Sequence, residues 1–161
     1  MKHLPKHLRP RWRYLAVVIE SWPDATIDQR SFQRALWYAG QNLLGDPGSA
    51  QVGLRVVSFT WFDGTGQAIV RVRRGETERG RAAVGCLGEI DGEAVGVRVC
   101  GVSGTIRACE EKYLGRRGQD SGERTVVFEN EERVAVVRDG SVDVRLDNSF
   151  AGATILDCDL V

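Results

Sequence analysis

Six patterned segments follow one another between residues 14 and 102, in the order strand, helix, strand, strand, helix, strand. The first, Tyr14-Leu-Ala-Val-Val-Ile19, is the longest apolar run in the chain and has the length of a buried strand. It falls far short of the ~20 residues that a membrane-crossing helix needs. Thr26-Ile-Asp-Gln29 fits a capping box with Thr26 as the cap. Phe32, Ala35, Leu36, Ala39 and Leu43 then recur at helical spacing, until Gly45 and Pro47 predict an end. Residues 54–62 and 67–73 are rich in β-branched side chains and flank the turn Asp63-Gly-Thr-Gly66, which predicts a hairpin. Residues 76–87 read as a shorter helix, Asp91-Gly92 as a turn and residues 94–102 as a strand.

That order is the split β-α-β arrangement of ferredoxin-like, α+β domains, with two helices on one face of an antiparallel sheet. Residues 106–114 add a third helix, which residues 103–105 can cap. Three further alternating segments beyond residue 124, two of them joined by Asp139-Gly140, predict a small β extension. The expected organisation is a basic arm over residues 1–13, a ferredoxin-like domain over 14–115 and an acidic, β-rich extension over 116–161.

Net charge is zero overall but strongly polarised. Residues 1–117 carry a net +6 and residues 118–161 a net −6, which suggests a body that meets an anion and a tail that does not. The arm holds Lys2, Lys6, Arg9, Arg11 and Arg13 without one acid, and Pro5 and Pro10 predict that it is extended. With Val70 and Val72 facing the core, strand parity sends Arg71 and Arg73 to the opposite face, and the same argument sends Arg55 and Arg98 there. Such a face is the electrostatic footprint of a nucleic-acid binder, unless carboxylates or the third helix occupy it. Trp12 and Tyr14 could stack on bases, and Tyr14 could equally be core. Residues 67–74 contain no aromatic, so base stacking on the sheet is not expected.

Catalytic chemistry finds little to stand on. The histidines, His3 and His7, lie in the arm. Cys86, Cys100, Cys109 and Cys158 form no CxxC pair, so they read as free, buried thiols and no metal site is expected. The acidic pairs Glu76/Glu78, Glu110/Glu111 and Glu131/Glu132 read as solvated charge. Asp63-Gly-Thr-Gly66 lacks the GK[ST] ending of a phosphate loop and joins two strands. No catalytic residue is assigned.

Two stretches carry a family resemblance. Leu4-Pro-Lys-His-Leu-Arg-Pro-Arg-Trp-Arg-Tyr-Leu15 resembles the basic opening of archaeal ribonuclease P protein component 2. Ser103-Gly-Thr-Ile-Arg-Ala-Cys-Glu-Glu-Lys-Tyr-Leu114 resembles the Gly-Thr-Ile-Arg/Lys segment that follows the fourth strand of that family. The likeness spans roughly residues 4–115, and the acidic extension departs from it. The resemblance implies an RRM- and ferredoxin-like fold, and a subunit that pairs with the barrel-shaped component 3. It also implies that the two support the catalytic RNA of ribonuclease P. That RNA, with bound Mg2+, would cut precursor tRNA at its 5′ end, the protein holding no cofactor and meeting tRNA indirectly. Carried over by position, Lys6, Arg9, Arg11, Arg13, Arg107 and Lys112 become candidate RNA contacts beside Arg71 and Arg73. A cytoplasmic protein with no membrane association is expected. A small-molecule-binding regulatory domain on the same frame, or a free-standing nuclease, would be the competing classes.

Overall fold

The computed structural model describes residues 4–114, 122–138, 140–147 and 149–161. The chain divides into two compact units, Met1–Gly115 and Arg116–Val161.

In the first unit, strand β1 (Trp12–Glu20) leads into helix α1 (Gln29–Val52) and the hairpin of β2 (Arg55–Phe62) and β3 (Thr65–Arg73). Helix α2 (Thr77–Gly85), a small hairpin of β4 (Glu89–Ile90) and β5 (Glu93–Ala94), and strand β6 (Gly96–Ser103) complete the pattern. The sheet order is β2-β3-β1-β6, with every pairing antiparallel. This is the split β-α-β topology, with β1 and β3 at its centre. Asp63 and Gly64 close the hairpin with φ of 48° and 75°, the left-handed pair that suits the twist of the flanking strands.

One face of the sheet buries Leu15, Val17, Ile19, Val70 and Val72 against Phe32 and Leu36 of α1 and Ala83 and Val84 of α2. Helix α2 approaches closely because Gly80 has no side chain: a Cβ there would lie 2.7 Å from Val72 Cγ1. The other face carries a smaller cluster of Ala16, Ile69 and Cys109, with Tyr14, Val57 and Leu114 packed against it. Cys109 and Leu114 come from the third helical segment, α3 (Ile106–Cys109), which continues as a π turn over Glu110–Leu114. Thr105 caps α3 by accepting the Ala108 N–H at 3.1 Å. Gly101 gives Tyr113 its seat, since a Cβ at residue 101 would stand 2.3 Å from the ring. Gly101→Val is therefore expected to lift residues 106–114 off the sheet, at a cost of about 1–3 kcal/mol. Hydrogen exchange should show amide protection lost there while α1 stays protected.

Several local expectations are corrected. The cap of α1 is Asp28, not Thr26: Asp28 accepts the Ser31 N–H at 2.7 Å, and Ser31 Oγ accepts the Asp28 N–H at 3.2 Å. Nor does α1 stop at Gly45. It breaks there, at φ 68° and ψ 173°, and resumes with Pro47 inside it, running on to Val52. A first helical turn tolerates proline because its N–H would be unbonded anyway. The arm holds a short 3-10 turn, Lys6–Leu8, between its two prolines. Of the four thiols, Cys109 and Cys158 are buried but Cys86 and Cys100 are exposed.

The Ser31 backbone N–H, then its hydroxyl, holds the Asp28 carboxyl below the ordinary carboxylate range. A depressed folded-state pKa means that this stabilisation is complete above the unfolded pKa and fades as pH falls through the folded one. Asp28→Ala should lower the thermal midpoint at neutral pH, and the gap from wild type should narrow on acidification.

The second unit is a five-stranded sheet in the order β10-β9-β8-β7-β11. Its strands are β7 (Gly122–Phe128), β8 (Glu131–Arg138), β9 (Ser141–Arg145), β10 (Phe150–Thr154) and β11 (Asp159–Leu160). Val126, Ala135, Val142, Val144 and Cys158 form its core. Arg138 is nearly buried and bonds Asp143 at 2.7 Å.

Candidate nucleic-acid interface

Cross-strand register gathers the start of β1, the end of β3, the start of β2 and the end of β6 at one end of the first sheet. Trp12 stands opposite Arg73, Arg55 opposite Arg71, and Tyr14 between Arg71 and Ser103. The arm enters at this end. The Arg11 carbonyl accepts the N–H of Arg74 at 2.9 Å, which ties the arm to the loop after β3. Arg13 reaches the loop after β6, where its guanidinium would lie 3.1 Å from a Cβ on Gly104. Arg11, Arg13, Arg55, Arg71, Arg73 and Arg74 are thus collected at one sheet end. Among the described residues, none of the six makes an ion pair.

Within that group one contact is specific. The Arg71 guanidinium carbon sits 3.9 Å from the centroid of the Trp12 ring, and that of Arg73 sits 5.9 Å from it. Trp12 leans towards its diagonal neighbour, a reach that cross-strand geometry allows large aromatics. Such a contact is worth about 0.5–1 kcal/mol when exposed and ~2 kcal/mol when desolvated. Gly53 completes the arrangement. It ends α1 in the left-handed conformation (φ 63°), and its missing side chain admits Trp12 at 3.3 Å and Arg73 at 3.6 Å from where a Cβ would be.

The remaining sequence candidates are more dispersed. Lys6 is exposed in the 3-10 turn, and exposed Arg9 donates from Nε to the Leu4 carbonyl at 2.8 Å. Arg107 is exposed on α3 and pairs with Glu111 at 2.7 Å; Lys112 is exposed on the π turn. Arg98 lies opposite Val18. That is four residues along β1 from Tyr14, or roughly 13 Å at strand rise, so Arg98 stands apart from the cluster. Sequence reasoning passed over Arg74 and Gly53. The Arg73-Arg74 doublet before Gly75 was a visible signal for the first, whereas nothing in the pattern marked Gly53 as a neighbour of Trp12.

The face is only partly open. The segment from α3 to Leu114 covers its middle, and Tyr14 is packed into the cluster beneath rather than presented to a ligand. Burial, and secondarily Glu110, pushes the Cys109 thiol up to about 11. Its S–H points to the Tyr14 carbonyl at 3.7 Å, so it is a packed thiol and not a nucleophile at neutral pH. The acidic pairs behave as surface charge: Glu76 meets Arg79, Glu111 meets Arg107 and Glu131 meets Arg133. Among the described residues no group of three His, Cys, Asp or Glu side chains could hold a metal, and no helix is long and apolar enough to cross a membrane.

Known proteins fall in with this picture. The model of the Rpp14/Pop5 family matches residues 13–114. A protein named ribonuclease P protein component 2 from Halorubrum lacusprofundi is 57% identical over 157 residues, 98% of this chain and 99% of its own length. Its namesake from Haloarcula marismortui is 57% identical over 159 residues, with the same coverage. The namesake from Thermococcus kodakarensis is 36% identical over 117 residues, 94% of its own length but 73% of this chain. Among solved structures, one chain in a cryo-EM structure of yeast ribonuclease MRP is similar, with a TM-score of 0.46 and 21% identity. It covers 62% of this chain and 79% of its own.

Proposed function

This chain belongs to the Rpp14/Pop5 family, and from that premise we infer that it is a non-catalytic protein subunit of an archaeal ribonuclease P. The observation that carries the reading is the near-full-length identity of 57% to component 2 proteins. The arginines at the sheet end supply its chemistry. A folded RNA concentrates phosphate charge, and arginines that lack a carboxylate partner are ready to neutralise it.

In this reading Lys6, Arg9, Arg11, Arg13, Arg71, Arg73, Arg107 and Lys112 meet the ribonuclease P RNA, mostly at phosphates. Such contacts fix position and carry little sequence information. The RNA, with Mg2+, performs hydrolysis of precursor tRNA; the protein contributes no reacting group. The barrel-shaped component 3 is the proposed protein partner. Trp37, Tyr38 and Leu43 of α1, each about half exposed, offer it apolar surface. The reading entails a cytoplasmic location.

Reconstitution tests it. The purified chain alone should leave precursor tRNA intact. Added to the cognate RNA with the other protein subunits, it should raise cleavage at the 5′ end in Mg2+. Cleavage by the chain without RNA, or a complete complex indifferent to its omission, would refute the assignment.

A further inference from the structure

We propose that Trp12, Arg55, Arg71 and Arg73 form a built subsite for a single backbone phosphate of RNA, in which Trp12 is a positioning residue for Arg71. The proposal rests on the RNA-binding reading above and goes further, from a diffuse basic surface to one ligand atom group and the side chain that orders its receptor.

Three observations converge. Arg55 and Arg71 are directly opposite across β2 and β3, and Arg73 follows on the same face of β3. Like charges placed opposite each other in a sheet oppose folding. Yet among the described residues no carboxylate pairs with any of the three, although Glu76 stands three residues beyond Arg73 and bonds Arg79 instead. The grouping is therefore uncompensated within this unit and calls for an anion. Second, Arg71 is not a free surface arm. Its guanidinium lies against the Trp12 ring at 3.9 Å, and its Nε is buried without an acceptor among the described residues. Stacking restricts a long side chain that would otherwise lose its freedom only on binding, so the fork is ordered in advance. Third, Trp12 is itself fixed. Its ring edge packs over Gly53, where any side chain would intrude.

The ligand chemistry follows. A stacked guanidinium flanked by two further guanidiniums matches the several oxygens of a phosphate. A base is disfavoured on the Trp12 face that Arg71 already covers. Arg11 and Arg74, joined through their backbones at the same sheet end, add positive charge beside the subsite, as expected for a phosphate embedded in a chain of phosphates rather than an isolated ion.

Full-length wild type, Arg71→Gln, Trp12→Leu and the double variant would be titrated with the cognate ribonuclease P RNA across a KCl series. Arg71→Gln should weaken binding and reduce the slope of log affinity against log salt by about 0.7–0.9. Trp12→Leu keeps every charge, yet should weaken binding by about two- to fivefold. In the Arg71→Gln background the same substitution should add no further loss. Trp12→Phe, which retains a ring, should recover part of the loss, and it replaces Trp12→Leu if the latter fails to fold. Wild-type affinity in the Trp12 variant, or losses that simply multiply, would overturn the proposal. Inorganic phosphate should raise the melting temperature of wild type only slightly over that of Arg71→Gln; stabilisation by phosphate without any salt-dependent RNA affinity would make the ligand a free anion and overturn the proposal. Wild type that binds no RNA would sink the functional reading as well. Steep, salt-dependent binding shared by wild type and all variants would sink only the subsite.

Discussion

Reversing Arg9, Arg11, Arg13 and Arg74 to glutamate together should weaken binding to the ribonuclease P RNA by about a hundredfold near 0.2 M salt. The figure follows from counterion release, in which each lost phosphate contact removes roughly 0.7–0.9 from the salt slope. The four sit at the arm and at the loop that the arm grips through the Arg11 carbonyl. None makes an ion pair among the described residues, and the one side-chain bond given up, from Arg9 Nε to the Leu4 carbonyl, is exposed and local to the arm. The gap between variant and wild type should close as salt approaches molar concentrations, because screening removes the term that distinguishes them. Arg81→Glu, an exposed reversal on α2 away from the strands' arginine-bearing face, is the control and should leave affinity within about threefold. Filter binding across a salt series reads both quantities. An unchanged slope in the quadruple variant would remove the arm from the interface.

The largest stability effect is expected at Phe32. It is fully buried in the first turn of α1, packed into the core against the sheet, with its ring 5.8 Å from that of Phe59 and tilted by 34°. Truncation to alanine removes the buried ring and leaves a cavity that the sheet and α2 cannot both close, a loss of about 3–5 kcal/mol. Against the ~5–15 kcal/mol by which domains are stable, that is a large share. Tyr38, six residues on but 61% exposed, should cost about 0.5 kcal/mol or less when truncated. Urea unfolding followed at the helical circular dichroism band isolates the first unit, since every α-helix of the described residues belongs to it. Equal midpoints for the Phe32 and Tyr38 variants would contradict the packing described here.

Much of this architecture was legible because periodicity reports which face of an element is buried. Val70 and Val72 did face the core, which put Arg71 and Arg73 on the other side of the sheet. Parity names a face, however, not a row. Arg98 shares the face of Arg71 but lies well along β1, and only the register, set by the turns and by the irregularities at Ala16/Val17 and Val56/Ser58, separates them. Local chemistry was ambiguous in similar ways. Thr26 and Asp28 both precede helical patterning, and the choice fell to Asp28 because Ser31 reciprocates its bond. Gly45-Asp-Pro47 reads as a stop, yet a proline in the first turn after a break is compatible with more helix. Strand β10 escaped notice because Phe150-Ala-Gly-Ala-Thr154 is mostly small residues with weak strand preference. The stacking of Trp12 on Arg71 joins residues 59 positions apart, and no local pattern could have shown it.

The most direct test begins in the native cell. The chain, tagged at its own locus, would be captured from extract, its bound RNA sequenced and the eluate assayed on precursor tRNA. The account predicts enrichment of the ribonuclease P RNA and 5′ cleavage that is abolished when that RNA is digested. Capture without it, or cleavage that survives its destruction, would contradict the account.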